Sequence, residues 1–160
     1  PIVRQEDEPK HVPYGIALLA AIADTKGHEV QIFDANAWRV DEPTFVDVLK
    51  ADDWDVIGLG GISTTYRFVK NAVRLAKRHS PRSRIWVGGG ILTAIPQDIM
   101  RLIPEIDIGV VGEAFETFPE MLEKIDLGRS DWNTVAGIVW RDSHGRTLMS
   151  PPRERIADLD

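Results

Sequence analysis

Apolar and polar positions along this chain switch repeatedly between a helical period and short continuous apolar runs. After Pro13, the residues Ile16, Leu19, Ala20 and Ala23 fall at i, i+3, i+4 and i+7, one face of a helix, and Leu18 and Ile22 widen the stripe. Gly27 is placed to end that helix. Residues 29–33 then read as a strand closing at Asp34, residues 43–50 as a helix, and Val56, Ile57, Gly58 and Leu59 as a buried strand that runs into the loop 60–65. The clearest helix follows. Phe68, Ala72, Leu75 and Ala76 are expected on its buried face, with Arg67, Lys70, Asn71, Arg74 and Lys77 on the other. Ile85, Trp86 and Val87 form the next strand and lead into three glycines, after which Pro96 opens a short helix with Ile99, Met100 and Ile103 apolar. Residues 107–111 are a further strand, and Phe118, Met121, Leu122 and Ile125 repeat at helical spacing beyond it.

Strands separated by helices of this length pair in parallel through right-handed crossovers, with helices on both faces of the sheet. The expected class is therefore α/β, an open doubly wound parallel sheet of Rossmann-like winding and flavodoxin-like order. Beyond Gly128 the pattern changes: residues 135–141 and 146–150, joined by Asp142, Ser143, His144 and Gly145, predict an antiparallel hairpin appended to the sheet edge. The organisation read from the sequence is an α/β domain over 1–128, its edge hairpin over 129–150, and a linker over 151–160 toward a further domain. A sheet of this kind normally begins with a strand before its first helix. Either Ile2 and Val3 are the remnant of it or that strand lies outside the sequence.

Composition narrows the function classes. At 160 residues the chain is long enough for one domain that buries roughly 70% of its unfolded surface without a staple. A net charge of -6 repels phosphate backbones, which argues against nucleic acid as a partner. With no cysteine, the chain holds no disulfide framework and no thiolate-bound metal or iron-sulfur cluster of its own. No apolar run approaches the roughly 18 residues of a membrane span, and the start has no basic region followed by an apolar stretch, so a cytoplasmic protein is expected.

In an open parallel sheet, ligands sit beyond the carboxyl ends of the strands. The loop after the Val56 strand carries Gly60, Gly61, Ser63, Thr64 and Thr65; the loop after Val87 carries Gly88, Gly89, Gly90 and Thr93; the loop after Val111 carries Gly112, Glu113 and Glu116. Glycines let a bulky ligand approach the backbone, and hydroxyls donate and accept hydrogen bonds without charge. Such loops suit a large, polar, nearly neutral cofactor tail. The same residues also have plainer roles: glycine is turn chemistry, Ser63 or Thr64 can cap a helix, and Glu113 and Glu116 can complement a helix dipole.

Taken in order, Pro13-Tyr14-Gly15 before an apolar helix, Gly27-His28-Glu29-Val30 with Asp34 after it, Asp55-Val56-Ile57-Gly58 with a Ser/Thr loop, Val87-Gly88-Gly89, and Val111-Gly112-Glu113-Ala114-Phe115-Glu116-Thr117 resemble the cobalamin-binding domain that precedes the catalytic domain of many radical S-adenosylmethionine (radical SAM) enzymes. The resemblance runs from Pro13 to about Leu122, and residues 156–160 resemble the connector into that family's catalytic barrel. It implies cobalamin as the cofactor, held at the three loops. It also implies an iron-sulfur cluster and S-adenosylmethionine in a downstream domain of the same protein, and a small-molecule substrate for methyl transfer or ring formation at an unreactive carbon. The fragment alone is not expected to catalyse.

The Asp-x-His-x-x-Gly motif that supplies a lower axial histidine in methionine synthase and mutase relatives is missing: His11 has Tyr14, not glycine, three residues on. Cobalamin without a histidine ligand is the expectation. Where the family often has a histidine this chain has Ile91 or Leu92, and its last loop differs from Gly-Glu-Gly-Glu. Those departures keep open an interaction domain that has the fold and no cofactor. A dinucleotide or flavin site is a further alternative, since Gly58-Leu59-Gly60-Gly61 follows a strand, although no acidic residue ends the next one.

Overall fold

The computed structural model describes residues 13–35 and 39–154. They fall into two units, Pro1–Phe45 and Val46–Asp160. In the first, helix α1 (Tyr14–Thr25) follows Pro13 directly and stops at Gly27, whose φ of +87° lies in the region an L side chain avoids. The Gly27 N–H bonds to the Asp24 carbonyl and the His28 N–H to that of Ala23, so the last turn's carbonyls are satisfied. Residues 29–33 differ from expectation: no strand is assigned to them among the described residues. Phe33 instead stacks on Phe45 at 5.9 Å. The Ile2 and Val3 segment lies outside the described residues.

Helix α2 (Glu42–Lys50) starts where the Asp41 carboxylate accepts the Thr44 N–H at 3.0 Å. The second unit then builds one sheet from β1 (Val56–Gly60), β2 (Arg84–Gly88), β3 (Ile108–Val110), β4 (Ile138–Arg141) and β5 (Thr147–Met149). Its order is β1-β2-β3-β4-β5; β1, β2 and β3 are parallel, and β4 and β5 are antiparallel to their neighbours. It is a mixed open sheet, and among the described strands the order never reverses, so the reversal of a flavodoxin-like order is not found among them. The expected hairpin is the β4–β5 pair. Asp142 forms its turn by accepting the N–H groups of His144 and Arg146, with Gly145 at φ +76°.

Both faces of the sheet are covered. On one, Trp86 meets Phe118 of α6 (Thr117–Asp126) and Trp132 edge to face, at 6.0 and 6.4 Å. On the other, Gly109 lies so close beneath Leu92 of α4 (Gly90–Ala94) that a Cβ would overlap it, and would stand 2.8 Å from Val139. Helix α5 (Pro96–Leu102) lies on this face too: Arg141 donates to the carbonyls of Met100 and Pro104.

Helix α3 (Tyr66–His79) lies over β1 and β2 and buries Val69, Val73, Leu75 and Ala76. Phe68, expected in the core, is 63% exposed. Positions 68, 72 and 75 and positions 69, 73 and 76 share one helical spacing and lie a single residue step apart, so periodicity alone cannot choose between them.

Candidate functional site

The carboxyl ends of β1, β2 and β3 bring the three glycine-containing loops side by side. Gly60 and Gly88 are direct partners in the parallel register, which sets the first loop against the second. The Ile91 N–H donates to the Gly61 carbonyl at 3.1 Å, and Thr93 Oγ1 accepts the Gly112 N–H at 3.0 Å. The three loops are therefore hydrogen-bonded into one rim. This arrangement joins residues up to 51 positions apart in sequence, Gly61 to Gly112, at one end of one sheet.

Within the rim the glycines divide by physical role. Gly89 has φ +84° and ψ -175°, a region essentially restricted to glycine, and a Cβ there would stand 2.8 Å from the Gly61 carbonyl oxygen. A Cβ on Gly61 would overlap Val69 at 2.5 Å and Thr65 Oγ1 at 2.8 Å. Gly112 has φ +80°. These three are required by the chain itself. Gly88 and Gly90 are not: added Cβ atoms would find only Val110 at 3.9 Å and Ile62 at 3.7 Å, ordinary contact distances. Gly89 thus has a role in the scaffold whether or not a ligand lies against it. Open space over Gly88 and Gly90 is what close approach of a bulky ligand needs.

The hydroxyls divide likewise. Thr65 Oγ1 accepts the Ile62 N–H at 3.0 Å and donates to the Ile62 carbonyl at 2.8 Å, shaping the turn that enters α3. Ser63 and Thr64 are exposed, and neither hydroxyl makes a hydrogen bond among the described residues. Thr93 is exposed and, having accepted from Gly112, still has its proton to donate. Glu113 is exposed. Glu116 is ion-paired with Arg153, whose guanidinium also reaches Glu120, at 3.1 and 2.6 Å respectively. The rim also carries the carboxylate of Glu113, and the single cation Arg153 is shared by Glu116 and Glu120. The rim's donors are hydroxyls and glycine backbone, a set suited to a neutral polar chain; no group of His, Cys, Asp and Glu able to hold a metal occurs among the described residues.

Sequence reasoning did not find Ile62 or Arg153. Ile62 is 58% exposed beside Gly90 and offers an apolar contact at the rim, a feature hidden because an isolated isoleucine in a loop has no pattern. Arg153 acts across 37 positions on Glu116, a distance at which no local signal exists.

Comparison with known proteins adds to this geometry. A family model described as B12 binding domain matches residues 2–122. An uncharacterized methyltransferase of Pyrococcus horikoshii is 27% identical over 92% of this chain and 32% of its own length. The cytidylyl-2-hydroxyethylphosphonate methyltransferase of Streptomyces wedmorensis is 28% identical over 92% of this chain and 30% of its own. The anaerobic magnesium-protoporphyrin IX monomethyl ester cyclase of Rubrivivax gelatinosus is 26% identical over 92% and 27%. The chain thus spans about a third or less of these curated relatives. In fold it is similar to the cobalamin-dependent S-adenosylmethionine radical enzyme OxsB, in a structure with aqua-cobalamin and S-adenosylmethionine bound, at TM-score 0.76 and 17% identity over 90% of this chain and 20% of that one.

Proposed function

The chain belongs to the B12-binding domain family, and from that premise we propose that its rim of three loops holds the nucleotide tail of a cobalamin and leaves the corrin facing a radical SAM domain of the full-length protein. The observation that carries this reading is the convergence of the loops: Gly88 and Gly90 leave backbone open to approach, Ser63, Thr64 and Thr93 present hydroxyls, and the hydrogen bonds of Ile91 to Gly61 and of Thr93 to Gly112 hold the rim in shape. Gly60 sits beside Gly88 in register at the mouth. Gly61, Thr65, Gly89 and Gly112 set the backbone that the tail lies along, and Glu113 borders it. Glu116 closes the third loop through Arg153 rather than by touching the cofactor.

Cobalamin, when bound, supplies cobalt chemistry that side chains cannot provide; the residues here bind and orient it. No histidine stands in the three loops, so none of their residues would offer a bound cobalamin an imidazole. In this reading a further domain of the full-length protein would hold the iron-sulfur cluster and S-adenosylmethionine, as suggested by the similarity to a cobalamin-dependent S-adenosylmethionine radical enzyme; these 160 residues contain no cysteine to ligate a cluster. The full-length protein then modifies a small-molecule substrate by methyl transfer or ring formation. It acts in the cytoplasm without nucleic-acid or membrane partners, a reading supported by the net charge of -6 and by the finding that no helix of the described residues is long and apolar enough to cross a membrane.

Parallel titrations with hydroxocobalamin and with cobinamide, which lacks the nucleotide tail, test this. Saturable binding of the first and much weaker binding of the second is the expected result, with a visible spectrum unchanged by His11→Ala. Equal affinity for both would remove the tail from the site, and no binding of either would favour an interaction domain without cofactor.

A further inference from the structure

The chain leaving the sheet after β5 is fastened to the third loop through the backbone, where the Val111 N–H bonds to the Gly137 carbonyl and the Gly137 N–H to the Pro151 carbonyl, and through the side chain of Arg153. Ser150 and Pro151 first zip this segment to the start of β4: Ser150 Oγ accepts the Ile138 N–H at 3.0 Å, and the Pro151 carbonyl accepts the Gly137 N–H at 2.8 Å. Arg153 then lays its guanidinium across the first turn of α6. Its Nε donates to Thr117 Oγ1 at 3.0 Å, one terminal nitrogen to Glu116 at 3.1 Å and the other to Glu120 at 2.6 Å. The planar fork of arginine suits three acceptors spread along one turn, which a lysine ammonium on its flexible stem cannot reach together. Thr117 is fully buried and donates its own proton to the Ala136 carbonyl at 3.1 Å, so the clamp rests on a fixed point.

The loop 112–116 is consequently held at both ends. Gly112 is fixed to the second loop by Thr93, and Glu116 to the exit segment by Arg153. A ligand that settles against this loop changes the footing of the clamp, and a displacement of the exit segment changes the loop. Coupling of this kind is reciprocal.

We propose that Arg153 is a positioning residue that couples cobalamin occupancy of the third loop to the path of the chain leaving the domain. This rests on the proposed site. The ligand edge of the domain and the departing chain are linked through this guanidinium, beside the backbone relay of Val111, Gly137 and Pro151, so occupancy is communicated to the exit segment.

Amide exchange measured by NMR, with and without hydroxocobalamin, tests the coupling in the chain as given. The reporters are the N–H groups of Gly137, Arg153 and Glu154, since Pro151 and Pro152 have none. In the unaltered chain cobalamin slows exchange at these amides and at residues 88–93. In Arg153→Ala it still slows residues 88–93 but no longer the exit amides, and the affinity falls about 5- to 20-fold; Arg153→Lys restores only part of either effect. Should Arg153→Ala unfold, Glu116→Gln and Glu120→Gln each remove one arm and are expected to give a smaller loss in the same direction. Equal affinity and an unchanged response at Gly137, Arg153 and Glu154 in the variants would overturn the coupling while leaving the site standing. Absence of binding to the unaltered chain would instead overturn the site, and the coupling with it.

Discussion

The Gly61 carbonyl oxygen occupies the place where a side chain on Gly89 would begin, 2.8 Å from the Cβ position, and the same oxygen accepts the Ile91 N–H. One backbone atom therefore both requires a glycine in the second loop and ties the first loop to it. Gly89→Ala is expected to lower stability by more than the roughly 1 to 3 kcal/mol of backbone strain alone, because the methyl group also displaces Gly61. Denaturant midpoints check this. A variant as stable as the parent would show that the two loops are not in contact as described.

Gly90→Ala separates ligand space from scaffold. The nearest atom to an added Cβ is Ile62 Cγ2 at 3.7 Å, and Gly90 has an ordinary helical φ, so stability is expected to change by less than about 1 kcal/mol. Cobalamin affinity should fall instead. A stability loss as large as that of Gly89→Ala would remove the distinction.

Leu75→Ala acts in the opposite sense. Leu75 is buried on α3, and its truncation should cost about 2 to 5 kcal/mol through lost burial and the cavity left behind. Binding measured at a temperature where the variant is folded should be unchanged, since Leu75 belongs to α3 and not to the rim loops. Loss of affinity without loss of stability would contradict its assignment to the core.

Thr93→Val and Thr93→Ser form a matched pair. Valine leaves the Gly112 N–H to water and is expected to weaken cobalamin binding and speed exchange of that amide, at a stability cost of about 0.5 to 1.5 kcal/mol. Serine retains the oxygen and should behave as the parent does. Identical binding by both variants would show that the link between the second and third loops has no part in the site.

Asp131 makes part of the acid sensitivity. Hydrogen bonds from Arg129, and next from Lys124, lower its pKa from the ordinary carboxylate value to about 2. A pKa depressed in the folded state stabilises above the unfolded value of about 4, and that contribution is lost as pH falls from about 4 toward 2. Asp131→Asn should reduce stability at neutral pH and flatten the pH dependence in that window. Parallel pH profiles for the parent and the variant would contradict this role.

The strands β1, β2 and β3 were legible because runs such as Val56-Ile57-Gly58-Leu59 and Ile85-Trp86-Val87 are continuously apolar, although only the second is buried; the first is half-buried, with Gly58 exposed. The hairpin was legible from its Asp142 to Gly145 turn. Residues 29–33 were not: their apolar pattern is that of a strand, and no strand is assigned to them among the described residues. Phe68 misled because its spacing duplicates that of Val69. At the site, the sequence located the three loops but not which glycines the backbone itself demands; Gly61 and Gly89 need each other across 28 positions, and only their approach in space distinguishes them from Gly88 and Gly90. The pairing of Glu116 with Arg153 was not legible, because the two are remote in sequence.

The central claim is that the rim formed by Ser63 and Thr64, Gly88 to Thr93, and Gly112 binds cobalamin. Hydroxocobalamin titration of the parent chain and of Gly90→Val, followed in the visible spectrum and paired with denaturant midpoints for both, tests it most directly. The expected result is saturable binding to the parent and at least a tenfold weaker affinity, about 1.4 kcal/mol, for the variant at a nearly unchanged midpoint. Parent and variant binding alike, or neither binding at high micromolar concentration, would contradict it.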